Sequence, residues 1–144
     1  MYDKALIKAR KEQATLSQTV GNLIIFKSEQ IVNGIKKRWL FGQDVNGGII
    51  GRYRSKSYEM FKVSKNSKAG GNVDLTLTGA LGKGLTIRRK GQDYEIFSTD
   101  SKFEHIALKY GVEQFNLSEE QQKQLFDELY LKVLEQYITN VWLV

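Results

Sequence analysis

The chain predicts an α+β fold: a long N-terminal helix and a C-terminal helix packed on a small, mainly antiparallel β-sheet with a β-hairpin. Apolar residues recur at helical spacing between Leu16 and Phe41, and they alternate at every second position over Val73–Leu77. A capping signature at Ser118 then opens another helical stretch.

Residues 1–18 are polar and charged and read as a separate arm, a short helix or an ordered segment that settles on a partner. Residues 19–144 read as the single α+β domain. In the long helix, Leu16, Val20, Leu23, Ile24, Ile31, Ile35 and Trp39 share one face. Gly21 and Gly34 weaken it by about 1 kcal/mol each relative to alanine. Lys36, Lys37 and Arg38 fall in its last turns, where cations suit the negative end of the helix dipole, and Gly42 is the stop.

Gly42–Gly71 reads mostly as loop, punctuated by serine, asparagine and glycine. Tyr53, Tyr58, Met60 and Phe61 give it enough apolar surface to lie against the body, and a loop of this length is functional or ordered by a partner. Val73, Leu75 and Leu77 alternate with Asp74, Thr76 and Thr78 as a strand. Gly79–Gly84 is a bend or short helical turn. Leu85–Arg89 and Tyr94–Phe97 flank Lys90-Gly-Gln-Asp93 as a hairpin. Glu104–Tyr110 has room for a turn or two of helix, stopped by Gly111. Ser118 and Gln121 have capping-box spacing, and Glu119 and Glu120 fill the positive first turn. Phe126, Leu129, Val133 and Tyr137 are the expected buried face of that last helix, and Val141–Val144 is a short apolar tail.

The 144 residues suffice for one domain with its own core, and 41% hydrophobic against 26% charged residues fits a soluble, globular chain. With no cysteine, disulfide frameworks and thiolate metal sites are excluded. With no proline, nothing interrupts long helices. No apolar run approaches the roughly 20 residues of a membrane helix, so no membrane partner is expected. The N-terminus lacks the apolar core of a signal peptide, so the expected setting is a cell interior or a particle assembled there. The net charge of +6 is uneven: residues 1–103 carry +10 and residues 104–144 carry −4. A basic front and an acidic back suit nucleic-acid contact, or head-to-tail contact between identical subunits.

Asp44-Val-Asn46-Gly-Gly48 has the look of a calcium loop, but the place for its closing glutamate is Ser55, so a turn is the expectation. The glycine pairs make no phosphate loop, because no Gly-Lys-Ser/Thr follows a strand. His105, the single histidine, has no cysteine or nucleophile elbow to work with and reads as structural or superficial. Lys36, Lys37, Arg38 and the second basic cluster, Arg88, Arg89 and Lys90, read either as phosphate contacts or as solvated charge. Glu119, Glu120 and Glu128 are candidate acceptors for basic groups of a neighbouring subunit. No catalytic, cofactor or metal-binding set is assembled.

The order of elements is also informative. Gly42-x-Asp44-x-x-Gly47-x-x-x-Gly51-x-Tyr53 closes the helix, and Ser55 and Lys56 follow. Then come Val73-Asp-Leu-Thr-Leu-Thr78-Gly79, the hairpin, Lys109-Tyr-Gly111 and Leu117-Ser118. Over roughly residues 20–138 this resembles the neck and tail-completion proteins of tailed bacteriophages, including the virion-morphogenesis and tail-terminator group, with versions from phages of Bacteroidetes similar. The resemblance implies a non-enzymatic structural subunit of the virion, without cofactor. It would form a closed homo-oligomeric ring of six or twelve copies at the head–tail junction, against portal, connector or tail proteins, and DNA would pass with transient, non-specific contact. The alternative is a small basic nucleic-acid-binding accessory protein. A small hydrolase is disfavoured by the missing nucleophile.

Overall fold

The computed structural model describes residues 2–76, 79–91 and 93–142. In chain order its helices and strands are α1 (Tyr2–Phe26), α2 (Ser28–Leu40), α3 (Lys56–Lys65), α4 (Ala80–Lys83), β1 (Leu85–Lys90), β2 (Asp93–Ser98), α5 (Phe103–Tyr110) and α6 (Glu119–Trp142). The fold is α+β, with helices at both ends of the chain and, among the described residues, one two-stranded antiparallel sheet. The chain divides into two compact units, residues 1–27 with 123–144, and residues 28–122.

In the first unit, α1 starts at Tyr2, so the arm is helical from its outset. Its first turns are rich in alanine, lysine, glutamate and glutamine, all good helix formers. Every described side chain from Lys4 to Gln18 is exposed, and burial begins at Thr19. The helix ends at Phe26 instead of running on to Phe41. Lys27 is a turn, and Ser28 with Glu29 supplies a new start whose acidic residue suits the positive helix end. The ammonium of Lys27 meets Glu128 of α6 at 2.9 Å. The face expected to be buried on α6 is only partly so: Leu129 and Val133 are half-buried, whereas Phe126 is 66% exposed and stacks on Tyr130. The side chain of Tyr137 and residues 143–144 of the apolar tail lie outside the described residues.

The second unit holds the core. Ile31, Val32, Ile35 and Trp39 of α2 are buried, and α2 packs on β1. Trp39 meets Phe115 edge to face at 5.3 Å, and Phe103 meets the same ring at 4.6 Å. Such pairs add about 0.5–1.5 kcal/mol beyond the area they bury. The hairpin has the expected place, with Leu85 opposite Ser98 and Lys90 opposite Asp93. The expected short turn after Gly79 is α4, and α5 ends at Gly111, as the sequence indicates.

Two expectations for the middle of the chain are corrected. The segment read as loop contains α3, capped by Ser55, whose hydroxyl accepts the Tyr58 N–H at 3.3 Å. A 3-10 turn, Ser67–Ala69, follows. The expected strand at Val73 is absent among the described residues: Arg52 and Asn72 form an isolated bridge, and residues 73–76 run on without a ladder. Alternation failed as a guide because Asp74 is buried along with Val73 and Leu75. Leu77 and Thr78 lie outside the described residues.

Two side chains at the end of α2 clamp the approach to α6. Arg38 donates from Nη2 to the Gln114 carbonyl at 2.6 Å and from Nη1 to the Asn116 carbonyl at 2.9 Å. Trp39 Nε1 donates to the same Gln114 carbonyl at 2.9 Å. Gly42 then turns the chain at φ +67°, and a Cβ there would lie 3.1 Å from the Val73 carbonyl oxygen. Ser118 and Gln121 form the reciprocal capping box: the Ser118 N–H donates to Gln121 Oε1 at 2.9 Å, and the Gln121 N–H to Ser118 Oγ at 3.2 Å.

These contacts set an order of stability effects. Ser118→Ala should cost about 1 kcal/mol. Arg38→Ala should cost about 3 kcal/mol, because it strips charge-assisted bonds from a buried strap. Lys37→Ala should stay within about 0.5 kcal/mol. Urea unfolding checks this through the midpoint at constant slope; equal shifts for the two basic residues would contradict the clamp.

Candidate functional site: a basic cleft above a buried ion pair

Lys62 faces inward from α3. Its ammonium lies 2.7 Å from Asp74 Oδ1, and the two side chains are 3% and 0% exposed. The carboxylate also accepts from the Thr76 hydroxyl at 2.7 Å and the Thr76 N–H at 3.0 Å, and its second oxygen takes the Asn66 amide at 3.2 Å. Asn66 donates in addition to the Leu40 carbonyl, joining α2 to this cluster. The Tyr53 hydroxyl accepts the Asp74 N–H at 3.2 Å. Burial alone would push the Asp74 carboxyl up, but hydrogen bonds from Lys62 and Thr76 outweigh it, and the group sits below its ordinary value. Burial, aided by the nearby Asp74 charge, pushes the Tyr53 phenol up to about 12, so it stays neutral and serves as a hydrogen-bonding group.

Above this floor opens a cleft of about 730 Å³. One part of its lining is Arg52, Tyr53 and Arg54, immediately before the cap of α3. Another comes from Lys102, just before α5, and from His105, Ile106, Lys109 and Tyr110, which share one face of that helix. Tyr58 also lines it and meets Tyr53 edge to face at 5.2 Å. Arg52, Arg54, Lys102 and Lys109 are exposed, and none has a carboxylate within ion-pair distance among the described residues. Lys109 rests over the Tyr110 ring. The cleft is therefore an electropositive, tyrosine-lined surface suited to an anion. Ser55 and His105 both line it, and no hydrogen bond joins them among the described residues; the Ser55 hydroxyl meets that of Ser57.

The residues singled out from the sequence lie elsewhere. Lys37 and Arg38 share a second concavity, of about 820 Å³, with Asp44, Glu119 and Glu120 of the same chain. Lys37 and Arg38 thus face Glu119 and Glu120 within the one chain, although no ion pair joins them among the described residues. Arg38, expected as a donor to a neighbouring subunit, is buried in this chain, and its guanidinium serves the clamp. Burial lowers its pKa, and the Asp44 carboxylate partly offsets this. Lys36 runs along Gly82, with its Cε 3.5 Å from where a Cβ would stand. On the hairpin, Arg88 pairs with Glu95 at 2.9 Å and covers the Phe97 ring, Lys90 approaches Glu95 at 3.7 Å, and Arg89 donates to the Gly91 carbonyl. Glu128 is held by Lys27.

The Asp44 carboxylate is engaged in its own turn. Oδ1 accepts the N–H groups of Asn46 and Gly48, each at 2.8 Å, as an Asx-type turn does. His105 is exposed at the cleft rim. The sequence reading missed Arg52, Arg54 and Lys102 altogether. The signal that finds them is the coincidence of Arg52-Tyr53-Arg54 with basic residues at helical spacing before Gly111.

No family model, no curated protein and no solved structure matches this chain. Among the described residues no helix is long and apolar enough to cross a membrane.

The buried pair predicts an acid limb. The Asp74 carboxyl titrates lower in the folded than in the unfolded chain, where its value is about 3.9. Its stabilising contribution is thus fully present above that value and is lost as pH falls through the lower folded one. Asp74→Asn should destabilise the protein at neutral pH by about 3–5 kcal/mol and flatten the loss of stability below about pH 4. Lys62→Met combined with Asp74→Leu should recover much of that cost. Thermal melts across pH test both; an unchanged acid limb in Asp74→Asn would refute the assignment.

Proposed function

We propose that this chain is a structural subunit of a tailed-bacteriophage virion, assembling with copies of itself into a closed ring at the head–tail junction through which DNA passes. The motif order from Gly42 to Ser118 supports the class of protein. The observation that carries assembly is the exposure of large apolar side chains along both terminal helices: Ile7, Leu16 and Phe26 on α1, and Phe126, Tyr130 and Leu131 on α6. Phe26 is 76% exposed, and Phe126 and Tyr130 stack as an exposed pair; apolar side chains gathered at a surface are what protein–protein contacts are built on.

Charge supports a head-to-tail contact. The described cations Lys4, Lys8, Arg10 and Lys11 belong to α1, whereas Glu119, Glu120, Asp127, Glu128 and Glu135 belong to α6. A heterologous interface joins unlike surfaces and closes into a ring when its rotation allows. Lys36 and Lys37 remain candidate donors towards Glu119 and Glu120 of a neighbour. Each such rim pair contributes about 0–1 kcal/mol, so the apolar side chains supply most of the affinity. On this reading the chain is not an enzyme, needs no cofactor, resides in the virion, and abuts portal, connector or tail proteins. The second reading, a small basic nucleic-acid-binding accessory protein, has the basic cleft in its favour.

Light scattering on the eluting protein decides between them. The expected result is a discrete ring of six or twelve copies, which Phe126→Ser with Tyr130→Ser converts to smaller species of unchanged helicity. A monomer at every concentration, alone and with neck proteins, would overturn the ring.

A further inference from the structure

We infer that the cleft between Arg52–Arg54 and α5 is a binding site for single-stranded nucleic acid, taking the phosphodiester backbone on its four exposed cations and a base on the exposed ring of Tyr58. The inference rests on the cleft's chemistry alone and holds whether or not the chain forms a ring.

Charge balance is the first argument. Asp74 in the floor is neutralised by Lys62, and its oxygens are occupied by Thr76 and Asn66. Asp100, the other acidic residue of the lining, accepts the Lys102 N–H and fixes the start of α5. Neither supplies an ion pair to Arg52, Arg54, Lys102 or Lys109. Four exposed cations stand against the one unpaired carboxylate of Asp100 in this concave wall, and such an excess of one sign concentrates anions from solution. The arginines present planar forks that match phosphate oxygens, and the lysines act as point charges.

The tyrosines set the class of anion. Among the cations Tyr58 is the open ring, 43% exposed; Tyr53 is half-buried with its hydroxyl on the Asp74 N–H, and Lys109 rests over the Tyr110 ring. An acidic peptide or a free phosphate makes no use of an exposed ring set among cations. A single strand uses both features, because each base has a face to stack and each link a phosphate to neutralise. A duplex keeps its base faces inside its own stack and can offer the cleft only backbone. The pairing of Lys62 with Asp74 holds α3, and with it the Arg52–Tyr58 wall, in place.

Fluorescence anisotropy of the full chain with a labelled thymidine dodecamer tests the site. Binding should be saturable and fall with salt. Arg52→Ala with Arg54→Ala, and separately Lys102→Ala with Lys109→Ala, should each weaken it by about tenfold and reduce the log–log salt slope by about 1.4. Tyr58→Ala should weaken it while leaving the salt slope unchanged. Lys65→Ala with Lys68→Ala removes the same charge from outside the cleft and should stay within about twofold. Circular dichroism confirms that each variant is folded. The inference fails if the cleft variants bind like wild type or if the control loses as much. It fails equally if a duplex, ATP or polyglutamate of matched charge binds as tightly as the dodecamer. A chain that forms no ring but binds the dodecamer this way leaves the inference standing; a ring without such binding removes it and leaves the ring.

Discussion

The Lys62–Asp74 ion pair is the contact on which the middle of this fold depends. Taking two charges out of water costs several kcal/mol each, and only close pairing with full hydrogen bonding offsets that cost. Here the carboxylate is met by Lys62, Thr76 and Asn66, so its lone pairs are well used. The same few residues reach in three directions. Asn66 ties the cluster to the Leu40 carbonyl at the end of α2, Tyr53 brings in the strand-like segment before α3, and the Val73 N–H donates to the Gly51 carbonyl. Without the pair, α3 would have little to hold it, because Tyr58, Met60, Phe61 and Val63 are all exposed.

That is also why α3 was illegible in the sequence. Amphipathic helices are recognised by apolar residues on one face. The one buried residue of α3 is a lysine, and its partner lies twelve positions away in another segment. The reverse error occurred at Val73–Leu77, where alternation reads as a strand only if the polar positions face water. Asp74 does not, so the period was present and its cause was different. Elements whose reasons are local were legible. The hairpin has its turn residues beside it, α5 has Gly111, and α6 has the capping box. The division at Lys27 was missed because the apolar spacing continues through it, and Ser28 with Glu29 is the quieter signal.

The site was less legible than the fold, for a related reason. Basic runs are conspicuous in sequence, so Lys36–Arg38 and Arg88–Lys90 stood out. Runs are also where neighbouring charges find internal employment: Arg38 in the clamp, Arg88 on Glu95 and Phe97. The cations left without partners in the cleft are dispersed, two before α3, one before α5 and one on it, and only the fold brings them together. A charge becomes available to a ligand by lacking a partner at home, which sequence proximity does not reveal.

The distribution of apolar side chains completes the picture. Within residues 28–122 the buried apolar set is small: Ile31, Val32, Ile35 and Trp39, joined by Phe115 and a few others. Polar ties reinforce it, the Arg38 and Trp39 bonds to Gln114 at one end and the buried ion pair at the other. Such ties contribute modestly to net stability but penalise alternatives, since a misplaced buried charge is expensive. The terminal helices show the opposite pattern, with Phe26, Phe126 and Leu131 facing solvent. At about 25 cal/mol per Å² of apolar area, burial of those side chains is a reserve of free energy that folding of one chain leaves unused. In the proposed ring that reserve is spent between subunits.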